Sequence, residues 1–212
     1  MAVWRDFRLG YRQVGWAYTH DGGTTWTNPG LFVDPHYPRD SDPALTVNAD
    51  GHFFAMLLAY TGDTSQPNGM LMYRSTDGGH TWEDRGFAID GVPGVFEDKE
   101  FIACDRTNSL FSGSVYMAWT RFYETNIYCV HTRDDGATWT THEAPGEREW
   151  DPTFQDPAAL PRWVEPLAWD SDGTLYHLWS EGPSMRLGRT TGLGETWQIW
   201  TIAEDEDICF YP

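Results

Sequence analysis

STDGGHTW, residues 75–82, sets an acid, two glycines, a histidine, a hydroxyl and an indole within eight positions. That is chemistry enough for an active site, but the phrase returns. THDGGTTW (19–26), TRDDGATW (132–139) and TTGLGETW (190–197) share the pattern [ST]-x-D-x-G-x-T-W. The third position is Asp21, Asp77, Asp134 and Gly192, at intervals of 56, 57 and 58 residues. So regular a period marks repeat architecture. A motif present once per repeat is scaffold, and a copy that has lost its acid is easier to tolerate in a turn than in a catalytic site.

The segments between the boxes repeat too. QVGWAYT, GMLMYRS, NIYCVHT and MRLGRTT precede the four boxes. MAVW, FFAMLLAY, SVYMAW and TLYHLW come before those, and DPALTV, EFIACD and EPLAWD earlier still. These are short β-rich runs, and NADG (48–51) and DSDG (170–173) read as hairpin turns between them. A short strand such as LFV or QIWTI follows each box. The reading is all-β, with four antiparallel strands A to D per repeat and the box as the C–D turn. That is a β-propeller blade; a stacked β-solenoid is the alternative, although its coils are usually shorter.

The box resembles the Asp-box, or BNR repeat, of the sialidase superfamily. The resemblance implies a sialidase-like β-propeller with four-stranded antiparallel blades, about three and a half to four of them present. It makes Asp21, Trp26, Asp77, Trp82, Asp134, Trp139 and Trp197 structural. Physically, the Asp accepts hydrogen bonds from its own loop, the glycines supply positive φ and the Trp folds back to bury apolar surface. In that family the boxes lie away from the catalytic pocket, so His80 is expected as a solvent-facing turn residue. DGG and DDG lack the alternating oxygen ligands of a calcium loop.

The blades divide as strands B–D over 1–38, complete blades over 39–95, 96–161 and 162–205, and the start of another over 206–212. Sialidase-type propellers have six blades. Three readings stand: a piece of a longer product, a ring completed by the remaining blades or a second copy, or a small ring closed through DICFYP.

The formal net charge is −18 and the pI about 4.5. Phosphate backbones and anionic membranes repel such a surface, so neither nucleic acid nor membrane is an expected partner. No apolar run reaches the roughly 18 residues of a membrane helix. Cys104, Cys129 and Cys209 have no metal-ligand spacing and read as buried thiols or as one disulfide and a free thiol. MAVWRDFRLG lacks the apolar core of a signal peptide, while the resemblance implies an extracellular or periplasmic setting. No metal or cofactor is expected: there is no phosphate-cradling Gly loop, no H-E-x-x-H and no G-x-S-x-G.

A propeller's functional site sits at the channel mouth, near strands A and B. RWVEPLAWDSDGTLYHLWS (162–180) resembles the sialidase segment in which a Glu precedes strand A and an Arg follows strand B. Glu165 matches the Glu that polarises a tyrosine nucleophile; Ser180 stands where the Arg belongs. The family's acid/base Asp is best matched by Asp6, between Arg5 and Arg8, and a carboxylic acid there could protonate a glycosidic oxygen. The catalytic candidates are therefore Glu165 and Asp6. Substrate-binding candidates are Arg5, Arg8, Asp42, Lys99, Arg121 and Arg162. Asp98 and Glu100 sit beside Lys99. Tyr211 lacks the context of the family's tyrosine. Trp4, Trp119 and Trp179 read as blade core, and Trp150 and Trp163 as loop residues able to stack on a sugar. The expected function is an exo-acting, sialidase-like glycoside hydrolase acting on a glycan; the alternative is a non-catalytic propeller that binds glycan or protein at its channel face.

Overall fold

The computed structural model describes residues 1–34, 36–122, 126–143, 162–181 and 184–204, with the backbone alone at 126, 143 and 162–165. Among the described residues, fifteen strands form four antiparallel sheets. The first sheet holds β1 (Ala2–Asp6), β2 (Gln13–Tyr18) and β3 (Thr27–Leu31). The second holds β4 (Arg39–Val47), β5 (Phe53–Tyr60), β6 (Gly69–Ser75) and β7 (Glu83–Asp90). The third holds β8 (Phe96–Cys104), β9 (Val115–Phe122), β10 (Asn126–Thr132) and β11 (Thr140–Glu143). The fourth holds β12 (Arg162–Trp169), β13 (Leu175–Glu181), β14 (Ser184–Thr190) and β15 (Gln198–Glu204). Each is a meander of neighbouring strands, that is, a blade.

The blades stack face to face, which explains why their second strands read as continuous apolar runs instead of alternating. A strand's side chains point alternately to its two faces. In β5, Phe54, Met56, Leu58 and Tyr60 pack with Met117, Trp119 and Val130 of the third blade. The intervening Ala55, Leu57 and Ala59 pack with Val14 and Phe32 of the first. β9 repeats this, with Tyr116 and Ala118 turned toward Leu175 and Trp179 of the fourth blade. Both faces are dry, so both residue sets are apolar. Trp119 and Trp179 are blade core, as the sequence indicated. Cys104 and Cys129 are buried free thiols; Cys209 lies outside the described residues.

The boxes are self-contained turns. Asp77 accepts hydrogen bonds from Thr81 N at 3.0 Å, Thr81 Oγ1 at 2.6 Å and Ser75 Oγ at 2.8 Å. Asp134 does the same with Thr138 N (2.8 Å), Thr138 Oγ1 (2.7 Å) and Thr132 Oγ1 (2.8 Å), and Thr138 holds its carboxyl down at about 2. Asp21 is bound alike by Thr25 and Thr19. Two consecutive residues in each box adopt positive φ: Gly22–Gly23, Gly78–Gly79, Asp135–Gly136 and Leu193–Gly194. The second is always glycine. In the fourth box Thr190 Oγ1 still accepts from Gly192 N and Gly194 N, so the turn survives without its acid.

The box tryptophans depart from expectation at one position. Trp82, Trp139 and Trp197 pack into the junction with the preceding blade, whereas Trp26 is 50% exposed. Among the described residues no blade precedes the first one, and its indole folds only onto its own turn, donating to Gly23 O at 3.1 Å.

Candidate functional site

The innermost strands β4, β8 and β12 lie side by side, and each is interrupted once, four pairs from its hairpin in β4 and β8 and three pairs from it in β12. The pairing of β4 with β5 shifts between Ser41 and Ala44, that of β8 with β9 between Asp98 and Phe101, and that of β12 with β13 between Val164 and Leu167. Each shift is a β-bulge, a device that re-aims a side chain and often borders a functional site. Counting from the bulges makes Asp42, Lys99 and Glu165 equivalent, with Pro43, Glu100 and Pro166 after them. Asp42 and Lys99 take φ values of 42° and 63° there, a conformation non-glycine residues rarely adopt. Asp42 and Lys99 thus share one structural position; Glu165 shares it when counted from the bulge and matches Glu100 when counted from the hairpin.

Arg5, from the end of β1, forms an ion pair with Asp42. This brings the first blade's arginine to the second blade's bulge. Lys99 is exposed, and its amide donates to Asp98 Oδ1 at 2.8 Å. Asp6 is buried beside Arg8, which grips both carboxylate oxygens, with Nη2 at 2.7 Å from Oδ2 and its backbone N at 2.8 Å from Oδ1. The Trp4 indole adds a third donor at 3.0 Å. Chiefly through the Arg8 hydrogen bonds, the Asp6 carboxyl falls to about 2. Asp6 is therefore an ionised group at neutral pH, not a standing proton donor.

Arg121 is engaged elsewhere. It is 7% exposed, its Nη2 lies 2.5 Å from Glu97 Oε1, and its guanidinium stacks 3.6 Å from the centroid of Tyr128. Trp119 also donates to Glu97. The register bears on Ser180. Arg121 faces Glu97 across the third blade, and the matching pairs are Asp40 with Ala59 in the second and Trp163 with Ser180 in the fourth. Counted from the bulge Ser180 matches Arg121, whereas counted from the A–B hairpin Glu181 does, because the bulge of the fourth blade lies one pair nearer its hairpin.

That comparison exposes a residue the sequence reading passed over. Asp40 is wholly buried, faces alanine where Glu97 faces arginine, and among the described residues has no hydrogen-bond partner on either oxygen. Burial first, then the charge of Asp34, push its carboxyl up to about 7. Glu100 is likewise buried, and burial raises its carboxyl well above the usual carboxylate range, against the lowering influence of nearby backbone amides. The bulge was the missing signal: it shifts the in–out parity of RDSDPAL and FEDKEF, which sequence alternation alone does not reveal.

Trp163 lies in β12 opposite Ser180 and is not a loop residue. The backbone of Arg162 pairs with Glu181. The side chains of Arg162 and Glu165, and all of Trp150, Tyr211 and residues 206–212, lie outside what the structure describes.

The fold and inner-strand site define a class: the chain is an all-β propeller of the sialidase-like type, built of four-stranded antiparallel blades. The comparisons with known proteins agree. A sialidase of Micromonospora viridifaciens is 34% identical over 106 residues, which is 45% of this chain and 16% of that protein. The intramolecular trans-sialidase of Ruminococcus gnavus, solved with oseltamivir carboxylate, superposes with a TM-score of 0.63 at 12% identity, covering 92% of this chain and 65% of that one. The α-L-arabinanase of Penicillium chrysogenum, solved with arabinobiose, gives 0.54 at 18% identity, covering 79% and 50%. No protein-family model matches. The chain thus spans less than two thirds of each of these relatives.

Proposed function

We propose that this chain contributes the channel face of a sialidase-like exo-glycoside hydrolase acting on a glycan. The observation that supports the reading is the bulge repeated in β4, β8 and β12, at which Asp42, Lys99 and Glu165 lie, with Arg5 paired to Asp42. Glu165 is the carboxylate for chemistry, with Arg5, Arg8, Lys99 and Arg162 as contacts for the polar and anionic groups of a sugar.

In the free protein the arginines are paired to acids, Arg5 to Asp42 and Arg8 to Asp6. A carboxylate on the substrate competes for the same guanidinium forks. Drawing Arg8 away removes the hydrogen bonds that hold Asp6 low, so its pKa climbs toward the range of an acid catalyst. Substrate binding and activation of Asp6 are then one event. Arg121 supports the blade through Glu97 and reaches a substrate only by leaving that pair.

Two observations favour a second reading, a non-catalytic propeller that binds glycan or protein at the same face. Neither Ser180 nor Glu181, which match Arg121 counted from the bulge and from the hairpin, is an arginine, and Asp6 rests as a carboxylate. Hydrolysis of a panel of 4-methylumbelliferyl glycosides, sialosides and arabinofuranosides included, separates the readings. The enzyme reading expects turnover by the wild type and a loss of at least a hundredfold in Glu165→Gln. Binding without turnover in either protein supports the second.

A further inference from the structure

The face that carries the boxes holds polar contacts between neighbouring blades at the first two junctions. Between the second and third blades, Arg74 Nη1 pairs with Asp135 at 2.7 Å, and Arg85 Nε donates to Asp135 O at 2.9 Å. Within the third blade, His131 and His142 stack at an interplanar angle of 10°, with His142 close to Gly194 of the fourth box. Between the first and second blades, the contact is different: His20 Nε2 lies 2.9 Å from His80 Nε2.

His20 and His80 come from neighbouring boxes, 60 residues apart in sequence. Both are exposed. Their rings stack with centroids 5.1 Å apart, and Tyr18 packs against both, 5.3 Å from His20 and 4.3 Å from His80. Trp16 ties the same two blades together by donating to Gly79 O at 3.0 Å. The imidazoles are thus held in place by a tyrosine and a neighbouring anchor, with their Nε2 atoms converging at the protein's edge. As neutral rings they form one N–H···N hydrogen bond, which in contact with water adds little.

We propose that His20 and His80 form a binding site for a first-row divalent transition cation that staples the first box to the second. Neutral imidazole nitrogen suits such ions, and bonds of about 2.0–2.1 Å to both nitrogens across about 2.9 Å subtend an angle near 90°. That is the cis angle of square-planar and octahedral sites, so Ni2+ and Cu2+ fit with little movement, while tetrahedral Zn2+ requires the rings to part by about 0.5 Å. Water completes the coordination sphere, because both rings face solvent. The chain's net charge of −18 concentrates cations at its surface. His131 and His142 are less suited: His131 is 9% exposed, which leaves little room for water ligands. Among the described residues no group of three or more His, Cys, Asp or Glu converges as a metal site. The proposed site therefore rests on two protein ligands and has the moderate affinity of a surface pair.

The test is titration of the tag-free full chain with Ni2+ by calorimetry, followed by thermal unfolding at a hundredfold excess over the measured Kd. The wild type should bind one equivalent, and its unfolding midpoint should rise by about 5–10 °C. His20→Gln and His80→Gln should each lower the affinity at least tenfold and abolish the rise. His142→Gln should retain both. Circular dichroism first verifies that each variant is folded. Absence of stoichiometric binding by the wild type, equal binding by His20→Gln and His80→Gln, or loss of the site in His142→Gln alone overturns the proposal. None of these outcomes depends on glycosidase activity.

Discussion

Replacing Asp40 by asparagine should change how stability depends on pH. Asp40 is wholly buried with both oxygens unpartnered among the described residues, and its carboxyl rises from 3.8 to about 7. Between those values the unfolded chain has released the proton and the native chain retains it. The native state then binds more protons, so stability falls as pH rises through the window. Below about pH 4 both states are protonated and nothing is lost; above about pH 7 both are ionised and the loss is complete. At about 1.4 kcal/mol per pH unit, the full loss is about 4 kcal/mol, of which about 3 kcal/mol falls between pH 5 and pH 7. Asparagine has nearly the same shape and no charge to bury. Urea unfolding of both proteins at pH 5, 6, 7 and 8, followed by tryptophan fluorescence, gives the difference directly. The stability of Asp40→Asn relative to wild type should grow by about 3 kcal/mol from pH 5 to pH 7, then level off. A difference that stays constant across this range would refute the account of Asp40 as a buried, unpartnered acid.

Other expectations follow from the same geometry. Arg121→Met leaves Glu97 buried without its cation and should cost about 3–5 kcal/mol in urea unfolding; a cost under about 1 kcal/mol would show the pair to be dispensable. Gly192→Asp restores the acid missing from the fourth box, where Thr190 and Thr196 stand ready and an added Cβ meets nothing closer than 3.9 Å. It should stabilise the chain by about 0.5–1.5 kcal/mol, read as a raised urea midpoint. Arg8→Gln removes the main cause of the low Asp6 pKa, so an NMR titration of the Asp6 carboxyl should show it shifting upward from about 2; no movement would contradict the assignment of that shift to Arg8.

Much of this fold is legible because its decisive contacts are local. The box closes on hydrogen bonds no more than four residues apart, as between Asp77 and Thr81, so a short motif specifies it completely. The strand runs are legible for a related reason: with blades on both sides, FFAMLLAY is apolar at every position. The site is less legible because it depends on register. A bulge moves Asp40 inward and sets Asp42 apart, yet RDSD reads as an undifferentiated acidic loop. Arg121 looks like a substrate contact until its cross-strand neighbour Glu97 is known. Trp163 looks like a loop residue because the proline after Glu165 suggests a break, when it belongs to the bulge. The histidine pair was invisible for the opposite reason: His20 and His80 occupy the same slot in two repeats, and only the stacking of the blades makes them neighbours.

The central claim is that the inner-strand bulges form a carbohydrate-binding face, and saturation-transfer NMR tests it most directly. Sialyllactose and arabinobiose would be screened against the wild type, Asp42→Ala, Lys99→Ala and the box-face variant Asp77→Ala. The account predicts ligand signals with the wild type and Asp77→Ala and their loss with Asp42→Ala and Lys99→Ala. Signals that survive both bulge substitutions, or that vanish only in the box variant, would contradict it.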